Sequence, residues 1–378
     1  MRILHYTKYY PPFHGGIEKV TYDLVDGAIK KGHDVEVLCY EHKKEKEKEK
    51  TEIKHNVTRS KTLFTVFKMP FSISILFSLA KKRKQCDILH VHLPNPLAMV
   101  YVLLTNLFCP KVKIIAHWHS DIVKQKTLLK IIKPIQYLFL KHADSIIVTS
   151  KPYSESSKCL SKFKEKIIVI PIGINVDELE INIRHSENFK SINSNKKIVF
   201  SLGRLTYYKG FKYLIDSANY LDDSILIIIG GVGEEKESLE KLIISNNLQD
   251  KVKLLGSIDS NLIASYYSLC DIFCLPSIER SEAFGVVQLE AMSFAKPVIS
   301  TDIKGSGVSW VNKDNESGLI VKPENSKQIA NAIWQLANNH DLYQKLSIGA
   351  FNRFNRLFTA LEMNKMTLKL YKDLLDDH

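Results

Sequence analysis

The stretch IVFSLGRLTYYKG, at residues 198–210, decides the fold of this chain. It begins with an apolar, β-rich run, continues through a short loop that carries a glycine and an arginine, and leads into a helix-length segment after Gly210. A strand that passes through such a loop into a helix is the repeating unit of a doubly wound parallel sheet. The stretch therefore predicts an α/β fold with a ligand site at the carboxyl end of the strand.

Similar β-rich runs recur along the chain and alternate with helix-length segments. This alternation predicts parallel sheets with helices on both faces. The predicted strands are Ile3–Tyr6, Val35–Cys39, Ile88–His92, Lys113–Trp118, Ser145–Thr149, Ile167–Pro171, Ile198–Leu202, Ile225–Ile229, Val252–Leu255, Ile272–Leu275, Pro297–Ser300 and Gly318–Val321. The first six and the last six form two series, which predicts two Rossmann-like sheets.

The polar, aperiodic stretch at 176–196 separates the two series and is predicted to be a linker. The chain of 378 residues has room for two domains. We expect domains at 1–175 and 197–355, followed by a C-terminal helix at 356–378 that packs back on the first domain.

The chain is basic, with 53 Lys and Arg against 41 Asp and Glu, a net charge of +12. Such an excess suits an anionic partner: nucleotide phosphates, a lipid pyrophosphate, an acidic membrane face or nucleic acid. A nucleic-acid-binding protein stays a remote alternative, because it would need a basic stripe interleaved with aromatic residues, which is not evident. The run KKEKEKEK at 43–50 alternates in sign and is predicted to be a solvated loop.

The compartment is predicted from the cysteines and the apolar runs. The six cysteines are scattered without zinc-ligand spacing, which favours a reducing cytoplasm. The run Leu63–Ala80 is the nearest to a membrane span, but Lys68 and Pro70 interrupt it, and four basic residues at 81–84 follow it. We interpret it as an amphipathic helix packed on its own sheet, with membrane contact open for its exposed part.

Candidate site residues in the first half follow predicted strands. Gly15 and Gly16 precede a helix, where free backbone N–H groups could bind a diphosphate, although many tight turns also contain two glycines. His90, His92, His117, His119 and Asp121 lie at the ends of the third and fourth strands. A cleft lining, a metal site and satisfied core histidines all remain open there, the last being preferred for His90 and His117.

Candidate residues in the second half carry charge. Arg204 and Lys209 lie in a loop between strand and helix, where they could neutralise a diphosphate. The stretch SEAFGVVQLEA at 281–291 places two glutamates eight residues apart, around Phe284 and Gly285. Carboxylates accept hydrogen bonds from sugar and ribose hydroxyls, and an acid that precedes a helix can also serve as a cap.

Together these motifs resemble the large retaining glycosyltransferase family four, which has the GT-B fold: two Rossmann-like domains facing across a cleft. The resemblance rests on Gly15-Gly16 with Glu18, on Gly203-Arg204 with Lys209-Gly210, and on the element from Glu282 to Glu290, in the family's order and over essentially the whole chain. It implies an acceptor-side first domain and a nucleotide-sugar-binding second domain.

The resemblance also implies roles for the donor-binding residues. Gly15 and Gly16 would present N–H groups to the donor diphosphate, which Arg204 and Lys209 would neutralise. Glu282, in the Phe284-Gly285 element, would contact hydroxyls of the transferred sugar. Glu290 would hold the ribose.

Three further residues have implied roles. His119 would contact the donor sugar or its reacting carbon. Asp121 and Glu18 would lie toward the acceptor, where either could take its proton. The family usually needs no metal, so no metal and no resident cofactor are expected.

The stretch at 119–126, the Tyr207–Gly210 loop and 281–285 are similar to bacterial O-antigen mannosyltransferases that use GDP-mannose. This likeness implies a polyprenyl-diphosphate-linked glycan acceptor and a peripheral position at the inner membrane face. A UDP-sugar enzyme of the same fold stays the main alternative, because no base-binding motif is readable. A nicotinamide oxidoreductase would need Gly-x-Gly-x-x-Gly after the first strand, which is missing.

Overall fold

The computed structural model describes residues 1–13, 15–42, 54–66, 69–108, 112–121, 126–177, 179–182 and 195–376, with the side chains of 66 and 126–131 left out. The predicted loop at 43–50 and most of the predicted linker at 176–196 lie outside this description. The chain divides into two compact units. Unit 1 comprises Met1–Gly173 and Ala360–His378, and unit 2 comprises Ile174–Thr359.

Unit 1 is built on a parallel sheet. Its strands are β1 (Arg2–Tyr6), β2 (Asp34–Tyr40), β3 (Asn56–Ser60), β4 (Phe64–Val66), β5 (Met69–Phe71), β6 (Ile88–Leu93), β7 (Lys113–Trp118), β8 (Ser145–Val148) and β9 (Ile167–Val169). Seven of these strands, within the described residues, form the sheet in the order β3-β2-β1-β6-β7-β8-β9, while β4 and β5 pair as an antiparallel hairpin. The strand order reverses between β1 and β6, where a doubly wound sheet binds its ligands.

The helices of unit 1 connect these strands. They are α1 (Gly16–Lys30), α2 (Ile73–Arg83), α3 (Pro96–Asn106), α4 (Lys126–His142) and α5 (Lys151–Ser156), with α13 (Ala360–Asp376) at the end of the chain. Asn95 caps α3 by accepting a hydrogen bond from Ala98 N at 3.2 Å, and Pro96 occupies the first turn. The C-terminal helix α13 packs against α1, where Asn364 Nδ2 donates to the Asp23 carbonyl at 2.9 Å.

Unit 2 repeats the design with a smaller sheet. Its strands are β10 (Lys197–Leu202), β11 (Ile225–Gly230), β12 (Val252–Gly256), β13 (Ile272–Leu275), β14 (Val298–Thr301) and β15 (Gly318–Val321). Its helices are α6 (Phe211–Ser217), α7 (Lys236–Ser245), α8 (Ser260–Leu269), α9 (Val287–Ser293), α10 (Val308–Val311), α11 (Ser326–Asn338) and α12 (His340–Leu357). The described strands run in the order β12-β11-β10-β13-β14-β15, all parallel. The fold class is therefore confirmed as two Rossmann-like α/β units.

The predicted strands are confirmed, but the interpretation of Leu63–Ala80 as one helix is wrong. Phe64–Val66 and Met69–Phe71 pair as the β4-β5 hairpin, in which the centroids of the Phe64 and Phe71 rings lie 4.8 Å apart. The helix begins only at Ile73, after its cap Ser72. Pro70 has no N–H for a helical hydrogen bond, which accounts for the change in conformation within this apolar run.

The basic cluster at the C-terminal end of α2 is also less exposed than its sequence suggests. Arg83 is buried and donates to the Val102 carbonyl at 2.9 Å, so it holds the end of α3 rather than facing solvent. Lys82 pairs with Glu36. Of the four basic residues at 81–84, Lys81 and Lys84 are exposed. Among the helices in the described part of the chain, none is long and apolar enough to cross a membrane.

Candidate active site

A buried ion pair lies in the loops that follow β10 and β13 in unit 2. Lys209 Nζ and Glu282 Oε2 are 2.6 Å apart, and the two residues expose only 8% and 9% of their surface. Ser277 Oγ donates to the same carboxylate oxygen at 3.0 Å. Burial opposes the charged form of Lys209, but the carboxylate of Glu282 outweighs it and raises the lysine pKa. The site therefore holds an ammonium and a carboxylate in direct contact.

The loop that carries Glu282 is fixed by its backbone. Ser306 Oγ donates to the Glu282 carbonyl, and Gly285 adopts a φ of +75°. The conformation favours glycine there, and a Cβ atom on Gly285 would lie 2.6 Å from Leu275 Cδ2, so that this side chain would have to move. This backbone places the Glu282 carboxylate beside Lys209 rather than in solvent.

Phe284 lies next to the ion pair in sequence, but its side chain packs inside unit 2. It is 3% exposed, and its ring centroid is 6.4 Å from that of Trp310 and 6.1 Å from that of Phe358. The ring therefore anchors the loop in the core. Any contact of Phe284 with a donor would come from its backbone.

Glu290 is held on α9 by a partner that the sequence analysis missed. The Tyr267 hydroxyl, on α8, donates to Glu290 Oε2 at 2.6 Å. Burial raises the pKa of Glu290, and the hydrogen bond from Tyr267 opposes that shift. No sequence signal identified Tyr267, because the two residues come together only through the packing of two helices.

The backbones of the loops after β10 and β11 approach each other closely at glycine residues. A Cβ atom on Gly231 would lie 1.8 Å from the Gly203 carbonyl oxygen, and one on Gly233 would lie 2.1 Å from that of Leu205. Arg204 lies between Gly203 and Leu205 in the sequence and is exposed. Its charge partly opposes the rise in the pKa of Lys209 that Glu282 causes. The glycine run at 230–233 was a readable signal for this close approach.

In unit 1 the first candidate element is the start of α1. Gly15 is the N-cap, and a Cβ atom there would lie 2.2 Å from Glu18 Oε2, while Gly16 has open space around it. Glu18 is buried, and burial raises its pKa although its own backbone N–H bonds to the carboxylate. The Glu18 carboxylate thus covers the helix end, and a phosphate would have to replace it there.

The histidines of the third and fourth predicted strands converge, which the sequence left open. His90 and His92 on β6 join His117 and His119 at the end of β7, together with His5 of β1, which the sequence analysis missed. All five are buried, between 0% and 7% exposed. Burial lowers the pKa of His119 and of His5 to about 3, so these rings are neutral at neutral pH.

Asp121 lies just beyond this histidine cluster and is tied into unit 1. Trp118 Nε1 and Ser157 Oγ donate to its Oδ1 at 2.9 and 2.8 Å. Its backbone N–H donates to the Tyr153 hydroxyl oxygen at 2.6 Å. One oxygen of this carboxylate is therefore engaged in holding the loop.

Two doubly wound sheets with charged side chains in the loops after their strands are the architecture of the GT-B fold, and a doubly wound sheet binds its ligand at the carboxyl ends of its strands. Residues 14–178 match the family described as Glycosyltransferase Family 4, and residues 182–353 match the one described as Glycosyl transferases group 1. The chain is 32% identical to the O-antigen chain mannosyltransferase C of Escherichia coli, over 100% of this chain and 99% of the relative. The chain belongs to glycosyltransferase family 4 and is a glycosyltransferase.

A further relative is similar in sequence, and solved structures are similar in fold. The D-rhamnosyltransferase WbpZ of Pseudomonas aeruginosa is 29% identical over 95% of this chain and 93% of the relative. The crystal structure of Anabaena HepE in complex with UDP superposes with a TM-score of 0.80, at 18% identity over 99% of this chain and 100% of that one. A glycosyltransferase from Rickettsia africae gives 0.79, at 21% identity over 100% of this chain and 99% of that one. At these identities the structures show the fold.

Proposed function

We propose that the protein transfers a hexose, with retention of configuration, from a nucleotide-sugar donor to a lipid-linked glycan, and that the donor is GDP-mannose. The observation that carries the proposal is the buried Lys209–Glu282 pair. A transferase of this kind must neutralise a leaving diphosphate and hold sugar hydroxyls, and the pair supplies one group for each task. The likeness to an O-antigen chain mannosyltransferase over the full chain supports the choice of mannose.

The ion pair suggests how the donor is received. The charge of Lys209 is met by Glu282. A bound diphosphate gives the lysine a second anionic partner and frees the carboxylate to accept hydrogen bonds from the transferred sugar. Arg204, which is exposed, adds a planar guanidinium for the phosphate oxygens.

Other residues complete the proposed donor site. Glu290, oriented by Tyr267, accepts hydrogen bonds from the ribose hydroxyls. Gly285 and Phe284 contribute backbone at the start of α9. In unit 1, Gly15 and Gly16 offer N–H groups to the diphosphate once the Glu18 carboxylate turns away.

His119 contacts the transferred sugar in this proposal. Glu18 and Asp121 are the candidates for accepting the acceptor proton, and Glu18 is the better placed of the two. Burial raises the Glu18 pKa, which favours proton uptake, whereas one Asp121 oxygen already accepts two hydrogen bonds. We propose that no metal is required, because cationic side chains serve the leaving group.

We also propose that the protein works at the anionic inner face of the cell membrane, on the cytoplasmic side. Phe77 on α2 is 69% exposed, and Leu107 and Phe108, just after α3, are 79% and 75% exposed. The two helices pack against each other, and Lys81 lies one turn beyond Phe77 on the same side of α2. Apolar side chains beside lysines suit the boundary between acyl chains and acidic headgroups.

Vesicle binding tests the membrane proposal. The protein should sediment with phosphatidylglycerol vesicles, and F77S combined with L107S should abolish this. Replacing Ile244 of unit 2, which is 61% exposed, by serine is the matched control. Equal binding by the double variant and the control would refute this surface.

Thermal stabilisation by nucleotides tests the donor. A ligand that binds only the folded chain stabilises it by about 2.7 kcal/mol at a hundred times its Kd. GDP and GDP-mannose should raise the melting temperature, whereas UDP, UDP-sugars and ADP should not. If UDP-sugars alone raised the melting temperature, the donor would be a UDP-sugar instead of GDP-mannose. If none of the nucleotides raised it, the proposal would be contradicted.

A further inference from the structure

The five buried histidines of unit 1 form two hydrogen-bonded rows. In the long row, His5 Nδ1 lies 3.0 Å from His92 Nε2, and His92 Nδ1 lies 3.1 Å from His119 Nε2. In the short row, His90 Nε2 lies 3.0 Å from His117 Nδ1. The long row runs from a fully buried ring to His119, which is 7% exposed.

The rows stack face to face, and this geometry speaks against a shared metal ion. Two histidine triplets, which share His92, have ring nitrogens within 4.8 Å of one another. However, His117 and His119 are parallel within 17°, with centroids 4.0 Å apart. An imidazole lone pair lies in the ring plane, so one ion cannot lie about 2.0–2.1 Å from both nitrogens and in both planes. The contacts are therefore hydrogen bonds between imidazoles.

Because the rings are neutral, the hydrogen bonds of the long row must all run in the same direction. A neutral imidazole has one N–H donor and one acceptor nitrogen, so the donor of each ring fixes the tautomer of the next. Either His5 donates to His92 and His92 donates to His119, or both bonds run the opposite way. The first direction leaves the proton of His119 on Nδ1, and the second leaves it on Nε2.

The buried end of the row selects the direction. His5 Nε2 is buried and has no hydrogen-bond partner within the described chain. If the bonds ran from His119 toward His5, this atom would carry a buried N–H without an acceptor, a kind of group that folded proteins rarely contain. The opposite direction leaves only a lone pair there. It also gives His119 a free Nδ1–H, which suits the oxygen atoms of a sugar or diphosphate.

We infer that His5 and His92 are positioning residues that hold His119 as the Nδ1–H tautomer, so that it donates a hydrogen bond to an oxygen of the bound donor. The role of His119 toward the donor rests on the proposed function. The tautomer itself is a property of unit 1 alone. His5 and His92 act through His119 and need no contact with substrate.

The tautomer can be read directly by ¹⁵N NMR of the full-length protein labelled at histidine, with His119 assigned from a His119→Gln variant. The wild type should show a protonated Nδ1 and an unprotonated Nε2 on His119. His92→Phe, which keeps a ring in the stack but removes both nitrogens, should give a mixture of tautomers. A protonated Nε2 on His119 in the wild type would overturn the inference, whether or not the protein transfers mannose.

Activity provides the second readout. His92→Phe should lower kcat by roughly tenfold, the value of one hydrogen bond, with little change in the KM for the acceptor. His90→Phe is the matched control, because it removes both nitrogens of an equally buried ring on the same strand and leaves the His92–His119 bond in place. Equal losses in the two variants would contradict a positioning role. If His92→Phe does not fold, His5→Phe gives the same test from the far end of the row.

Discussion

The two units use one architecture but fill their sheets differently. In unit 1, His5 on the central strand β1 is aligned with His90 on β6, and imidazoles continue into β7. In unit 2, Val199 on the corresponding strand β10 is aligned with Ile227 and Ile272. The polar side chains of the candidate site therefore lie within the sheet in unit 1. In unit 2 they lie in the loops that follow a mainly apolar sheet.

The difference has an energetic consequence. Apolar strands are stabilised by burial alone, but a buried imidazole must find hydrogen-bond partners or destabilise the fold. Unit 1 meets most of this need with its two rows, and the Tyr371 hydroxyl of α13 lies 2.6 Å from His90 Nδ1 in the short row; His5 Nε2 and His117 Nε2 have no hydrogen-bond partner among the described residues. Unit 2 instead carries a buried ion pair, Lys209–Glu282, in its loops. The two units should therefore respond to different perturbations.

The largest effect is expected from the ion pair of unit 2. Glu282→Ala should lower kcat by about 10²–10³-fold, because the proposed contact with the transferred sugar is lost, while nucleotide binding survives. Initial-rate kinetics and a nucleotide titration would check this. Glu279→Ala, an exposed glutamate of the same loop, is the control. A fully active Glu282→Ala enzyme would remove Glu282 from the site.

The free energy of unfolding should also depend on the Lys209–Glu282 pair. Lys209→Met alone leaves the Glu282 carboxylate buried without its cation and should destabilise the protein by about 3 kcal/mol. Adding Glu282→Met should recover most of this loss, since an apolar pair of similar volume replaces two buried charges. Urea unfolding would measure both. Lys236→Met, which breaks an exposed pair with Glu240, should cost less than about 1 kcal/mol. Similar losses for Lys209→Met and Lys236→Met would contradict a buried pair.

Lowering the pH should destabilise unit 1. Its buried histidines have folded pKa values below the ordinary 6.5, about 3 for His5 and His119. The unfolded chain therefore binds more protons below pH 6.5, and the free energy of unfolding falls as the pH drops from there toward 3. Each such histidine adds about 1.4 kcal/mol per pH unit within that window.

Two variants test whether the buried histidines cause this acid sensitivity. His90→Phe with His117→Phe should flatten the pH dependence of urea unfolding, whereas His340→Gln, at an exposed position, should leave it unchanged. An unchanged slope in the first variant would mean that the rows do not set the acid response.

The smallest effect is expected from chelation. Because Arg204 and Lys209 serve the leaving group in our proposal, and because the stacked imidazoles do not suit an ion, EDTA should leave the transfer rate unchanged. Loss of activity that added Mn²⁺ restores would argue against metal independence.

The sequence predicted twelve of the thirteen described strands in the two parallel sheets, because each is an apolar run bounded by turn residues. It missed β3, whose sequence NVTRS has little apolar character, and the hairpin β4-β5, whose apolar residues continue into α2. Helix and strand are hard to separate in such runs. The interruption by Pro70 was the signal that could have divided them.

The candidate site was easier to predict in unit 2 than in unit 1. Lys209 and Glu282 stand in loop motifs that can be read locally, although their direct contact could not. The histidine rows depend on register between strands that are far apart in sequence, as in the alignment of His92 with His117. Tyr371 comes from 281 residues beyond His90. Spacing along one chain contains neither relation.

The central claim, that the enzyme transfers mannose from GDP-mannose to a lipid-linked glycan, is tested most directly by mass spectrometry of the acceptor. The purified protein would be incubated with a polyprenyl-diphosphate-linked oligosaccharide and either GDP-mannose or a UDP-hexose. Our account predicts that the acceptor gains one hexose with GDP-mannose, and that Glu282→Ala abolishes this gain. Product from the UDP-hexose alone, or undiminished transfer by Glu282→Ala, would contradict it.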